Sequence, residues 1–124
     1  MAITLAATLR NNRADQITAF AGASPKLRVY TAAYATVLYE SVCNATFAPA
    51  ASGGVLTANA IANGTATGAG TAAIARLYKS DGTTMVTEGL TVGTSGTNIV
   101  ITNTTIAIND VVTTSSFTIT EGNP

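Results

Sequence analysis

Cys43 is the only thiol in this chain, and there is no histidine anywhere to take its proton. Nucleophilic catalysis by Ser or Cys draws on a neighbouring base, so Ser–His and Cys–His arrangements are excluded by residue type alone. The carboxylates, Asp15, Glu40, Asp81, Glu88, Asp110 and Glu121, stand singly along the sequence. A two-carboxylate hydrolase would need two of them to meet in space with no motif to bring them together. With one Cys, no His and no Asp-x-Asp loop, no metal-ligand spacing is present either. The expectation is therefore no enzyme, no metal site and no cofactor.

Three stretches imitate chemistry and read better as structure. Gly64–Gly70 (GTATGAG) is glycine-rich like a phosphate loop. It lacks the following Lys-Ser/Thr and leads into a strand pattern, so no helix N-terminus is offered to an anion and the stretch reads as a turn. Tyr30 and Tyr34, with Tyr39 nearby and Arg28 beside them, outline a stacking platform for single-stranded nucleic acid. No basic groove accompanies them, and packing at a strand edge is the preferred reading. Cys43 closes the apolar run Val37–Cys43, where a small buried thiol is the default. The Asn-x-Thr triplets at Asn44, Asn63 and Asn103 are what a Thr-rich chain generates by chance.

The elements that would position these residues follow from periodicity. From Thr4 to Phe20 the large apolar residues recur at helical spacing. Leu5 and Leu9 stand four apart, Ile17 and Phe20 three apart, with Arg10 to Gln16 forming a polar block between. Thr4 is the expected N-cap and Gly22 the terminator. The narrow stripe suits a helix on the body or an arm, so residues 1–22 are read as an N-terminal helix or arm. From Lys26 onward the period becomes two. Lys26–Tyr30 and Val37–Val42 are strands. Val55–Ala62 is another, and the run Thr71–Lys79 and Thr84–Thr91 flanks Ser80-Asp81-Gly82-Thr83 as a hairpin. Gly89 marks a bulge in its second arm. Asn98–Thr102, a strand or two within Thr105–Val112, and Ser115–Thr120 complete the pattern. The expected fold is mainly β, a single domain spanning 1–124. In it a β-sandwich or jelly-roll-like body over 26–120 has about eight short strands. Its core is read as Leu27, Val29, Leu38, Phe47, Leu56, Ile74, Leu77, Ile99, Ile101, Ile108, Phe117 and Ile119.

Composition bounds the partners. Six Lys and Arg balance six Asp and Glu, so charge alone makes no case for nucleic acid. The balance is uneven: Arg10, Arg13, Lys26 and Arg28 face only Asp15 in the first 28 residues, and the rest of the chain is acidic. No stretch approaches the roughly 18 apolar residues of a membrane span. The opening MAITLAATLRNNR lacks the charge-then-hydrophobic order of a secretory signal. One cysteine allows no internal disulfide, which suits manufacture in a reducing cytoplasm.

Several segments together carry a resemblance. The opening MAITLAATLRN, the strand KLRVY, the segment ATFAPAASGGVLTAN, the hairpin ARLYKSDGTTMVTEGLTVGTSGTNIVI and the last strand SSFTIT resemble, in that order, small virion-associated proteins of tailed bacteriophages encoded among head-assembly genes. The chain departs from them at Thr31–Val42, where relatives show a Gly/Pro-containing turn. The resemblance implies a structural role on the particle. The expected function is a capsid decoration, or cement, protein on the outer surface of the major capsid lattice, made in the host cytoplasm and located on the virion. The alternatives are a neck, head–tail connector or tail-associated structural protein, and a receptor-binding β module. Its expected partners are the major capsid protein and copies of itself in a homo-oligomer, a trimer among the forms considered, with no nucleic acid and no membrane. Leu5 and Leu9 are assigned to fill a capsid pocket, and Arg10 and Arg13 to face an acidic shell surface, with an open sheet edge as a second means of grip.

Overall fold

Alternation between a buried and a facing side chain builds the first strands. The structure, a computed structural model, describes residues 6–120. In β1 (Lys26–Tyr30), Leu27 and Val29 point into the core while Lys26, Arg28 and Tyr30 line the other face. Strand β2 (Val37–Val42) follows a short 3-10 turn at Ala32–Tyr34 and pairs antiparallel with β1. β3 (Val55–Thr57), β4 (Gly64–Thr65) and β5 (Gly70–Thr71) come next, then the hairpin of β6 (Ile74–Tyr78) and β7 (Met85–Gly93). β8 (Ile99–Ile101), β9 (Thr105–Ile106), β10 (Val111–Val112) and β11 (Thr114–Thr120) finish the described chain. Seven strands form one sheet in the order β2-β1-β6-β7-β8-β11-β3, and β10-β4 and β5-β9 form two small ribbons. The fold is mainly β and sandwich-like, with one N-terminal helix, α1 (Ala7–Ala21).

The sheet curls around its core. Tyr39 in β2 and Thr114 in β11 stand five strands apart in the order, about 24 Å in a flat sheet. Their hydroxyls nevertheless lie 3.5 Å apart. Curling lets inward residues of both halves share one cluster: Leu27, Val29, Tyr39, Leu56, Leu77, Ile99, Ile101 and Phe117, with Phe47 from the irregular segment after β2. Phe47 and Phe117 meet edge-to-face at 5.3 Å, a geometry that contributes ~0.5–1.5 kcal/mol beyond burial.

Local turn chemistry explains the joints. Asp81 accepts the Thr83 and Thr84 N–H groups at 2.8 Å and closes the β6–β7 hairpin where Asp-Gly had placed it. Gly89 has φ +74, and the β6–β7 register slips nearby. The next joint differs from a hairpin: β7 and β8 run parallel through Val92↔Ile99 and Gly93↔Val100. A side-chain clasp holds this loop, with Asn98 Oδ1 accepting from Thr91 N–H at 3.1 Å and Asn98 N–H donating to Thr91 Oγ1 at 3.0 Å.

Four expectations require correction. Among the described residues eleven strands stand where periodicity predicts about eight, because β4, β5, β9 and β10 are two-residue pieces. Val55–Ala62 is strand only to Thr57: the next N–H groups, of Ala58 and Asn59, donate to Phe117 and Phe47 carbonyls, which bend the chain across the core. The helix takes Ala6 as N-cap, with no side-chain cap; Thr4 lies outside the described residues. Ile108, read as core, is 60% exposed, because Asn109 adopts φ +74 and turns the loop outward; Ile74 and Ile119 are half-buried.

Candidate functional site

Helix α1 divides its apolar stripe: Ile17 turns to the body while Leu9 and Phe20 turn away from it. Ala14 and Ala21, seven residues apart, are buried on one face, and Ile17 packs partly against the core. Small side chains there bring the helix axis close to β3 and β7, its two neighbouring strands. Two polar residues then pin it. Asp15 Oδ1 accepts the Ala51 N–H at 2.7 Å, and Asn11 Oδ1 accepts the Gly54 N–H at 2.7 Å. Gly54 has φ +76, and a Cβ there would stand 2.6 Å from the Arg10 guanidinium, so glycine is what lets Arg10 lie across this turn.

The outward face is left with the large apolar groups. Leu9 is 47% and Phe20 50% exposed; Arg13, four residues after Leu9, shares their face and is exposed. Lys79 extends from the end of β6 to place Nζ 4.4 Å from the centre of the Phe20 ring. The face is apolar and basic. Of the four residues assigned to shell binding, Leu9 and Arg13 come together here, Arg10 is half-buried against Gly54, and Leu5 lies outside the described residues. Helical spacing places Phe20 on the same side as Leu9, but it does not say whether that side meets the body or solvent. It misses Lys79, which no local spacing connects to the helix.

The sheet edges offer less. Along the outer edge of β2, the Ala62 N–H donates to the Val42 carbonyl, and Thr67 and Gly68 N–H donate to the Leu38 carbonyl. At β3, Ser52 and Val55 exchange backbone hydrogen bonds and fold the edge back on itself.

The tyrosine cluster is real but internally satisfied. Arg28 donates to Glu40 through Nε at 2.8 Å and through a terminal nitrogen, and its guanidinium covers the Tyr78 ring at 4.4 Å. Arg76 lies 3.7 Å from the Tyr34 ring centre and 5.4 Å from that of Tyr30. Its Nε approaches Glu88 Oε2 to 3.3 Å without hydrogen-bond alignment. Tyr34 accepts the Gly89 N–H at 2.8 Å, and the Tyr30 and Tyr78 hydroxyls stand 3.3 Å apart. Burial opposes the charge on Arg28, but hydrogen bonds to Glu40 and Tyr30 outweigh it and raise its pKa. Burial pushes Tyr30 up, while the hydrogen bond with Tyr30, then Arg76, draws Tyr78 down. Tyr30 and Tyr78 are 5% and 7% exposed, with guanidinium groups already over their rings, so no free face awaits a base. Tyr39 points to the opposite, inner face.

The remaining reactive types are similarly occupied. Cys43 is buried, which pushes its thiol up to about 12, and Asp81 is held well below the usual carboxylate range by hydrogen bonds from Thr84, then Thr83. Among the described residues, no three His, Cys, Asp or Glu side chains come together as a metal site. No helix among them is long and apolar enough to cross a membrane. A cavity of about 130 Å³ lined by Thr102, Asn103, Asp110 and Val111 is well below the roughly 300–1,000 Å³ of small-molecule pockets. Comparison with family models, curated proteins and solved structures finds no match for the chain.

Proposed function

We propose that this chain is a bacteriophage capsid decoration protein, seated on the outer surface of the major capsid lattice by the outward face of α1. The observation that carries the reading is the docking of the helix: polar anchors, alanines and Ile17 hold it down, while Leu9 and Phe20 stay half exposed beside Arg13 and Lys79. A helix face that leaves two large apolar side chains half in solvent beside cations is suited to an acidic surface with an apolar groove. Each half-exposed side chain has about 1 kcal/mol left to gain on full burial, so one copy binds weakly and a lattice of linked copies binds well. The resemblance to virion-associated proteins and the small, sparsely charged, Thr-rich body support the same reading.

The test has two parts. Immunogold labelling of intact particles of the phage that encodes the chain is expected to spread over the head; label confined to the neck or tail overturns the proposal. Co-sedimentation with shells lacking the protein is then expected to fall at least tenfold for Leu9→Ser with Phe20→Ser, which removes about 2 kcal/mol of contact. Undiminished binding by a folded double variant removes the helix from the mechanism.

A further inference from the structure

The small cavity at the β9–β10 connection is rimmed by side chains that also fold the chain around it. It measures about 130 Å³, and Thr102, Asn103, Thr105, Asp110 and Val111 are among its walls. β9 pairs with β5 and β10 with β4, so both of its sides are anchored to the stretch 64–71. On one rim Asn103 Oδ1 accepts the Thr105 N–H at 2.9 Å, and the Ala72 N–H donates to the Thr104 carbonyl at 2.8 Å. On the other, Asp110 Oδ2 accepts the Ala107 N–H at 2.9 Å, and the Asp110 carbonyl accepts the Ala66 N–H at 2.8 Å. Both polar side chains are therefore held in place before any ligand arrives, which spares the ordering cost of binding.

The same bonds decide what each side chain has left to give. With its oxygen taken by a backbone N–H, Asn103 keeps the amide nitrogen, which carries two donors. With Oδ2 taken, Asp110 keeps Oδ1, and no cation is paired with it among the described residues. Thr102 and Thr105 add hydroxyls, which both donate and accept. Val111, the most exposed large apolar side chain among the described residues at 67%, supplies an aliphatic wall. A metal ion or an ammonium group calls for acceptors alone, and the Asn103 donors oppose it. An apolar side chain would leave the Asp110 charge desolvated and unpaired. A ligand with adjacent hydroxyls, each both donor and acceptor, and C–H groups between them matches every part of this set.

We propose that the cavity binds one sugar ring, with Asp110 Oδ1 and the Asn103 amide nitrogen on neighbouring hydroxyls and Val111 against the C–H face. A volume of about 130 Å³ takes one edge of a ring and does not enclose a whole molecule, which suits the exposed end of a glycan. A single contact of this kind is weak, and many copies displayed together gain avidity for a glycan-coated surface. The assignment does not rest on the capsid reading.

Titration of the isotope-labelled chain with the methyl glycosides of glucose, galactose and mannose, followed by amide chemical shifts, tests it. At least one of these sugars is expected to shift amides within 102–112 at millimolar concentration and to leave those of α1 unmoved. Asn103→Asp keeps the acceptor for the Thr105 N–H and removes the donors; binding is expected to weaken about two- to tenfold. Asp110→Asn keeps an acceptor for the Ala107 N–H and removes the charge, and its loss is expected to be about tenfold or more. Unchanged amide positions in the rest of the sheet identify the variants as folded. No shift with any of the sugars, shifts confined to other parts of the chain, or wild-type binding by the folded variants overturns the proposal. Calcium chloride or N-acetyl-lysine amide moving the same amides where no sugar does so also overturns it. Sugar binding by a chain with no affinity for shells would overturn the capsid reading and leave this one standing.

Discussion

Exchanging the roles of Leu9 and Ala14 gives the sharpest test of how the helix sits. Leu9 is 47% exposed and Ala14 fully buried. Full burial of a leucine side chain contributes ~1.5–3 kcal/mol, so a half-exposed one contributes about 1 kcal/mol at most, and Leu9→Ser is expected to cost no more than that. Ala14→Leu forces a branched side chain into a site with no free surface, and overpacking of that kind costs about 1–3 kcal/mol. The order would reverse if the Leu9 side met the body. Urea unfolding followed by circular dichroism, with the slope held common to both variants, measures the difference. Hydrogen exchange adds a second readout, because an isolated helix of 15 residues is marginal and an undocked α1 would lose its amide protection while the sheet kept its own. A Leu9→Ser variant less stable than Ala14→Leu would refute this docking and, with it, the proposed shell-binding face.

Other consequences follow from the same geometry. Phe117→Ala is expected to cost about 3–5 kcal/mol by chemical denaturation, since Phe117 is 1% exposed and Phe47 would lose its edge-to-face partner. The folded pKa of Asp81 lies below its unfolded value, so the stability it contributes is present above about pH 4 and lost as pH falls further toward that depressed value. An acid titration of the unfolding midpoint should show this loss, and Asp81→Asn should reduce it. Cys43, raised to about 12, should resist thiol reagents at neutral pH until the protein unfolds. The sign is opposite for this group: its contribution is present below about pH 8.5 and lost as pH rises toward 12.

Much of this protein was legible along the chain because it depends on neighbours in sequence. The alternation of Leu27 and Val29 with Lys26 and Arg28 sets which face of β1 is buried. Asp81 and Gly82 close a turn with groups two or three residues away, and Gly22 ends the helix through its own backbone freedom. Eleven of the twelve residues expected in the core are buried or half-buried, and the exception, Ile108, belongs to a turn whose outward aim is set by a hydrogen bond to Ala66, far away in sequence. The same limit governs the site. Periodicity could say that Leu9 and Phe20 share a side of the helix, but not that Ala51 and Gly54 would offer N–H groups to Asp15 and Asn11 and turn that side to water. Nor could it say that β7 and β8 run parallel, or that Tyr39 reaches Thr114 across the curled sheet. Local pattern determined which elements form, because strand alternation and turn chemistry act over a few residues. Which face each element shows to the others was decided only in the assembled fold, where small residues set the distance of approach and long-range hydrogen bonds choose the orientation.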